Sequence, residues 1–121
     1  MMIDINKCLY ILLFKGEEKQ MKNYKDEAEY QADLKKKLKQ LYPSGIVIKN
    51  DATDLQGVAD LTIIDGPKAA ILEVKISKDA KHRPNQDYYV NRQNERGGFG
   101  RFIYPENESE VLKELKEYMN K

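Results

Sequence analysis

The sequence predicts an α/β sandwich: one small mixed sheet between helices, in the order helix, three strands, helix, strand, helix. Three observations lead there. Tyr30, Leu34, Leu38 and Leu41 recur at helical spacing. Two apolar runs, Val58–Ile64 and Ala69–Ile76, flank Asp65-Gly66-Pro67-Lys68, the pattern of a tight hairpin. A polar helix-like stretch, a Gly97-Gly98 stop, a further apolar strand and a final amphipathic stretch complete the order.

The elements follow along the chain. Residues 1–22 stand apart: Ile3-Asp4-Ile5-Asn6 alternates and Leu9–Phe14 is continuously apolar, so this segment is either an added strand or an extension. Residues 23–121 form the domain proper. Asp26–Tyr42 is a helix with lysines, Lys35-Lys36-Lys37 and Lys39, on its solvated face; Pro43-Ser44-Gly45 ends it. Ile46-Val47-Ile48 is a short strand, and Asn50–Gln56 a polar loop. The hairpin comes next, then a basic loop. Asn85–Arg96 is helical, with Pro84 at its start. Phe99–Tyr104 is a strand. Asn107–Met119 is a helix with Val111, Leu112, Leu115 and Tyr118 on one face.

Composition removes several functions. A chain of 121 residues supports one core and not two. There is one cysteine, Cys8, which excludes a disulfide framework or a cysteine zinc site and reads as a small buried apolar residue. There is one histidine, His82, so any histidine-dependent triad has to use it. It sits in the polar run Lys78–Arg83 and reads as solvated or phosphate-contacting. The longest apolar run, Cys8–Phe14, is far below the ~18 residues of a membrane span. With no secretory pattern, the expectation is a cytoplasmic protein with no membrane partner. The net charge of +1 leaves nucleic-acid binding to charge distribution.

The hairpin carries the chemistry. A two-residue turn at Gly66-Pro67 sets Asp60 opposite Glu73, where Cβ atoms stand ~4.5–5.5 Å apart. Lys75 lies two residues beyond Glu73, on the same face. Their neighbours Leu61, Ile63, Leu72, Val74 and Ile76 are apolar. Carboxylates so close repel unless a cation or proton lies between them. Carboxylate oxygens suit Mg²⁺ or Mn²⁺. Such an ion with a nearby lysine supplies the parts for phosphodiester hydrolysis. A salt bridge on a hairpin is the plain alternative at this point.

Gly57-Val58-Ala59-Asp60, Ile71-Leu72-Glu73-Val74-Lys75 and Pro84-Asn85-Gln86 together resemble the PD-(D/E)xK nuclease superfamily, and within it the small stand-alone VRR-NUC-like nucleases of bacteriophages. Glu27-Ala28-Glu29-Tyr30-Gln31, Asp87-Tyr88-Tyr89-Val90 and Phe102–Asn107 extend the resemblance over residues 27–119. It implies a single-domain restriction-endonuclease-like core, αβββαβ, plus a C-terminal helix. It also implies an Mg²⁺- or Mn²⁺-dependent DNA endonuclease, working as a homodimer on branched or duplex DNA, in the bacterial host if phage-encoded. Asp60, Glu73 and the Val74 carbonyl are the implied metal ligands, with Glu27 acting through water or a second ion. Lys75 is the implied catalytic lysine. Gln86 is implied to orient it or the scissile phosphate. Ala59 stands where the family usually has proline. Helical spacing from Tyr30 and Leu34 puts Glu27, rather than Glu29, on the sheet-facing side.

Between Lys68 and Arg101, eight cationic side chains face four carboxylates. Lys78, Lys81 and Arg83, in the loop leaving the Glu73 strand, are the candidate DNA contacts. Tyr88 and Tyr89 are candidates for base stacking, with core packing expected for at least one. Nothing in the chain reads base sequence, so binding should be structure-directed or non-specific. The competing readings are a non-catalytic nucleic-acid-binding module on the same fold and a restriction-type subunit whose specificity lies in a partner chain.

Overall fold

A computed structural model describes residues 23–51, 53 and 55–121. Residues 1–22, read as an added strand or an extension, lie outside the described residues, and Cys8 with them. The elements are α1 (Glu27–Leu41), β1 (Ile46–Lys49), β2 (Leu61–Asp65), β3 (Lys68–Val74), α2 (Gln86–Glu95) and β4 (Phe99–Ile103). A 3₁₀ turn (Pro105–Asn107) then leads into α3 (Glu108–Met119). The sheet order is β1-β2-β3-β4, antiparallel across the first two pairs and parallel between β3 and β4. A parallel pair needs a crossover, and α2 provides it.

Local chemistry accounts for the boundaries. Asp26 caps α1, its carboxylate accepting from the Glu29 N–H at 2.9 Å. The β2–β3 hairpin pairs Leu61 with Leu72 and continues to Asp65 with Lys68, the register set by a two-residue Gly66-Pro67 turn. Gly66 has φ 62°. Pro67 cannot follow it to positive φ, so the turn is of the II′ kind, whose twist suits a hairpin.

Alternation along the strands makes two faces. Leu61, Ile63, Ala70, Leu72 and Val74, with Phe99 and Ile103 from β4, form one face. The apolar stripes of α1 (Tyr30, Leu34, Leu38, Leu41) and α3 (Val111, Leu112, Leu115) cover it. Burying such a side chain contributes roughly 1.5–3 kcal/mol, so this face dominates the stability of the domain. On the other face, α2 lies against β3 and β4. A Cβ at Gly100 would stand 2.8 Å from the Val90 carbonyl, and glycine there lets the helix come down close.

Two expectations need correction. The lysine run of α1 is not uniformly solvated: Lys37 is buried and its ammonium donates to the buried Glu108 carboxylate at 2.9 Å. The pair clasps α1 to the start of α3 where both cross the core face. The hairpin strands are also shorter than the apolar runs suggest, β2 starting at Leu61 and β3 ending at Val74. The reason lies in Asp60.

Candidate active site

The sheet opens where β2 begins. The Asn50 N–H donates to the Asp60 carbonyl at 2.8 Å, and the Asn50 side-chain amide donates to the Ala59 carbonyl at 2.9 Å and to Thr62 Oγ1 at 2.7 Å. Asn50 thus holds Ala59 and Asp60 against β1. On the opposite side the hairpin register would pair Ala59 with Val74. Instead the Val74 N–H donates to Asp60 Oδ2 at 2.8 Å. β2 therefore leaves β3 at Asp60, and the carboxylate fills the gap. In an antiparallel ladder a residue's N–H and C=O point to the same neighbour. The Val74 carbonyl consequently faces the opening that Asp60 occupies.

Glu73 and Lys75 are both buried, at 1% and 4% exposure. Gln86, the first residue of α2, joins them. Its amide N–H₂ donates to Glu73 Oε1 at 2.7 Å, and its carbonyl accepts from Lys75 Nζ at 2.8 Å and from the Arg83 N–H at 2.7 Å. The orientation of this amide is forced: a carboxylate needs a donor and an ammonium needs an acceptor. Lys75 Nζ also donates to the Lys81 carbonyl at 3.2 Å. The ammonium is thereby fixed from two sides.

Glu73 Oε2 is buried and has no hydrogen-bond partner among the described residues. Its carboxyl is pushed up to about 9, first by burial and then by the neighbouring Asp60 carboxylate; Glu27 adds to the shift and Lys75 opposes it. Such a pair can relax by holding a proton or a cation. An orphaned carboxylate oxygen, a second carboxylate and a backbone carbonyl facing the same opening are the donor set of a small hard divalent ion. They fit one. Among the described residues no three Asp, Glu, His or Cys side chains gather closely enough to hold an ion by themselves. Asp60 and Glu73 would need the carbonyl and water to complete a shell. Glu27, half-buried in the first turn of α1, reaches this region only through its field on Glu73, whereas Glu29 is exposed.

The two loops that deliver Asp60 and Gln86 support each other. Gly57 has φ 85°, and a Cβ there would stand 2.5 Å from Asn85 Cβ and 2.7 Å from the Pro84 carbonyl. Asn85 itself is left-handed, at φ 71°. A position that only glycine fits therefore sets how closely the turn into α2 approaches the turn into β2. The motif around Gly57 carries no sign of this role, because a positive φ and a partner 28 residues away leave no mark on local pattern.

The side chains of Lys78, Lys81 and Arg83 are exposed on the loop beyond Lys75. Tyr88 is exposed and meets the half-buried Tyr89 edge-on, with ring centroids 5.1 Å apart. His82, read from the sequence as solvated or phosphate-contacting, is exposed and has two side-chain partners. It stacks on Phe102, with centroids 4.1 Å apart and planes 7° from parallel, and its Nδ1 lies 2.9 Å from Asp87 Oδ1.

Comparison with solved structures finds a VRR_NUC domain that is similar over 73% of this chain and 94% of its own length, at 24% identity and a TM-score of 0.59. The chain has the VRR_NUC fold. The fold anticipated from the motif order is the fold observed. No family model matches the sequence, and neither does any curated protein. Among the described residues no helix is long and apolar enough to cross a membrane.

Proposed function

We propose that this protein is a divalent-metal-dependent DNA endonuclease with Asp60, Glu73, Lys75 and Gln86 at its centre. The observation that carries the reading is the chain Glu73–Gln86–Lys75 beside Asp60. A buried carboxylate with an orphaned oxygen, a buried ammonium and a second carboxylate are held together in an otherwise apolar hairpin. Unpaired buried charge is costly, and a stable fold alone would be better served by apolar residues here. The VRR_NUC fold supports the same reading.

Asp60, Glu73 and the Val74 carbonyl would hold Mg²⁺ or Mn²⁺, with Glu27 acting through water. When bound, the ion supplies Lewis-acid polarisation of a phosphoryl oxygen and lowers the pKa of water. The chain's own residues do the rest. The Lys75 ammonium offsets charge that accumulates on the phosphoryl oxygens in the transition state. Gln86 keeps that ammonium and Glu73 in fixed relation, so no reorganisation is needed during the reaction. Lys78, Lys81 and Arg83 neutralise the flanking DNA backbone. None of these groups reads a base edge. This favours a substrate chosen by shape, such as branched or junction DNA, and a homodimer is the assembly suited to a two-fold junction.

The test is cleavage of labelled duplex, single-stranded, flap and four-way-junction DNA in Mg²⁺, Mn²⁺ or EDTA, beside Lys75→Ala and Glu73→Ala. Metal-dependent cutting that falls at least ~100-fold in each variant is expected. Intact DNA under every condition, with binding retained, would replace the nuclease by a non-catalytic binding module.

A further inference from the structure

We infer that His82 is a substrate-binding residue of this centre, donating from Nε2 to a phosphate of the DNA backbone beside the scissile one. The inference rests on the nuclease reading for its substrate and on separate observations for its geometry.

A histidine in a polar surface loop ordinarily samples several rotamers. This one is fixed in plane and in rotation. Phe102 sets the plane through the parallel stack at 4.1 Å, and Asp87 sets the rotation through Nδ1 at 2.9 Å. A carboxylate only accepts, so Nδ1 carries a proton and Nε2 is left as the working atom. Among the described residues nothing engages Nε2, and the side chain keeps 37% of its surface in solvent. The Asp87 carboxylate and a phosphate oxygen are both acceptors, so each ring nitrogen would face an acceptor.

The position of the ring matters as much as its orientation. Phe102 is the register partner of Glu73 across β3 and β4, so the imidazole is stacked one strand away from the buried carboxylate. The residues on either side of His82 are bonded into the centre: the Lys81 carbonyl accepts from Lys75 Nζ, and the Arg83 N–H donates to Gln86. His82 therefore has a fixed offset from the proposed catalytic lysine. Lys78, Lys81 and Arg83 lie around it on long flexible side chains; His82 is the short, pre-oriented donor among them.

The test uses the full chain and two substitutions. His82→Phe keeps an aromatic ring for Phe102 and removes the donor; His82→Ala removes both. Binding of fluorescent four-way-junction and duplex DNA is followed by anisotropy in EDTA at pH 6 over a salt series, with thermal melts alongside and kcat and KM measured in Mg²⁺. The expected result is about tenfold weaker binding for both variants. The slope of log affinity against log salt should be shallower by about 0.9. The loss in kcat/KM should appear mainly in KM, and the melting temperature of His82→Phe should stay unchanged. If His82→Phe binds with wild-type affinity and slope, or restores what His82→Ala loses, the ring is only a packing element and the inference falls. If the wild type cuts no DNA yet His82→Phe weakens binding as expected, the phosphate contact stands and the nuclease reading falls.

Discussion

Replacing Glu73 by glutamine should stabilise the metal-free protein while abolishing cleavage. The carboxyl of Glu73 is raised from its ordinary value of 4.5 to about 9 in the folded chain. The native state therefore binds more protons than the unfolded state between those two values, and stability must fall as pH rises through that window. Each unit is worth ~1.4 kcal/mol. At pH 7, about 2.5 units above the unfolded value, the burden is on the order of 3 kcal/mol, and it is still growing toward pH 9. Glutamine removes it without changing shape: its carbonyl can still accept from Gln86, and its N–H₂ can face Asp60. For a domain of this size the gain corresponds to a rise on the order of 10 °C in melting temperature. Thermal melts in EDTA from pH 5 to pH 9 should show a small advantage for Glu73→Gln at pH 5 that widens steadily. Added Mg²⁺ should then raise the wild-type midpoint and leave the variant unmoved. A variant that melts at or below the wild type in EDTA at pH 8 would refute the argument. Equal Mg²⁺ stabilisation of both proteins would take Glu73 out of the ligand set.

Three further outcomes are expected. Gly57→Ala should slow single-turnover cleavage at least ~10-fold by pushing the Pro84–Asn85 turn, and Gln86 with it, off its position; an unchanged rate would show that the loops move independently. Changing Lys78, Lys81 and Arg83 together to glutamine should weaken DNA binding and flatten its log–log salt slope by up to about 3, and an unchanged slope would move the binding surface elsewhere. Lys37→Ala should cost roughly 3–5 kcal/mol in urea unfolding because it leaves Glu108 buried and uncompensated; a loss below ~1 kcal/mol would mean that the pair is solvated in practice.

Local pattern made most of the fold legible. Spacing placed α1 and α3, and a two-residue turn fixed a hairpin register that the structure reproduces residue for residue from Leu61–Leu72 onward. What escaped depends on contacts between residues far apart in sequence. Val58–Asp60 has the composition of a strand, yet Asn50 holds this stretch to β1 while the Asp60 carboxylate replaces its bond to β3. Lys37 belongs to a lysine run, and only the approach of α3 makes it a buried ion. His82 has no local signal of order; its plane is set by Phe102, on a strand that follows the next helix. The motif implies that Gln86 orients Lys75 or the scissile phosphate; its amide bonds both Lys75 and Glu73, a bridge that local pattern does not show.

The alanine before Asp60 can be weighed against this geometry. At this position the backbone does the anchoring: the Ala59 carbonyl accepts from the Asn50 side chain, and among the described residues the Ala59 N–H donates to nothing. Proline differs from alanine by lacking that N–H and by fixing φ. Neither difference touches the bond that holds Asp60. The carboxylate is aimed by two groups that do not depend on the side chain at 59, the Asn50 N–H on the Asp60 carbonyl and the Val74 N–H on Oδ2. The methyl of Ala59 is itself fully buried, at 1% exposure. The departure from the proline of the motif this stretch resembles thus leaves the delivery of Asp60 intact, and Asn50 becomes the residue on which that delivery turns.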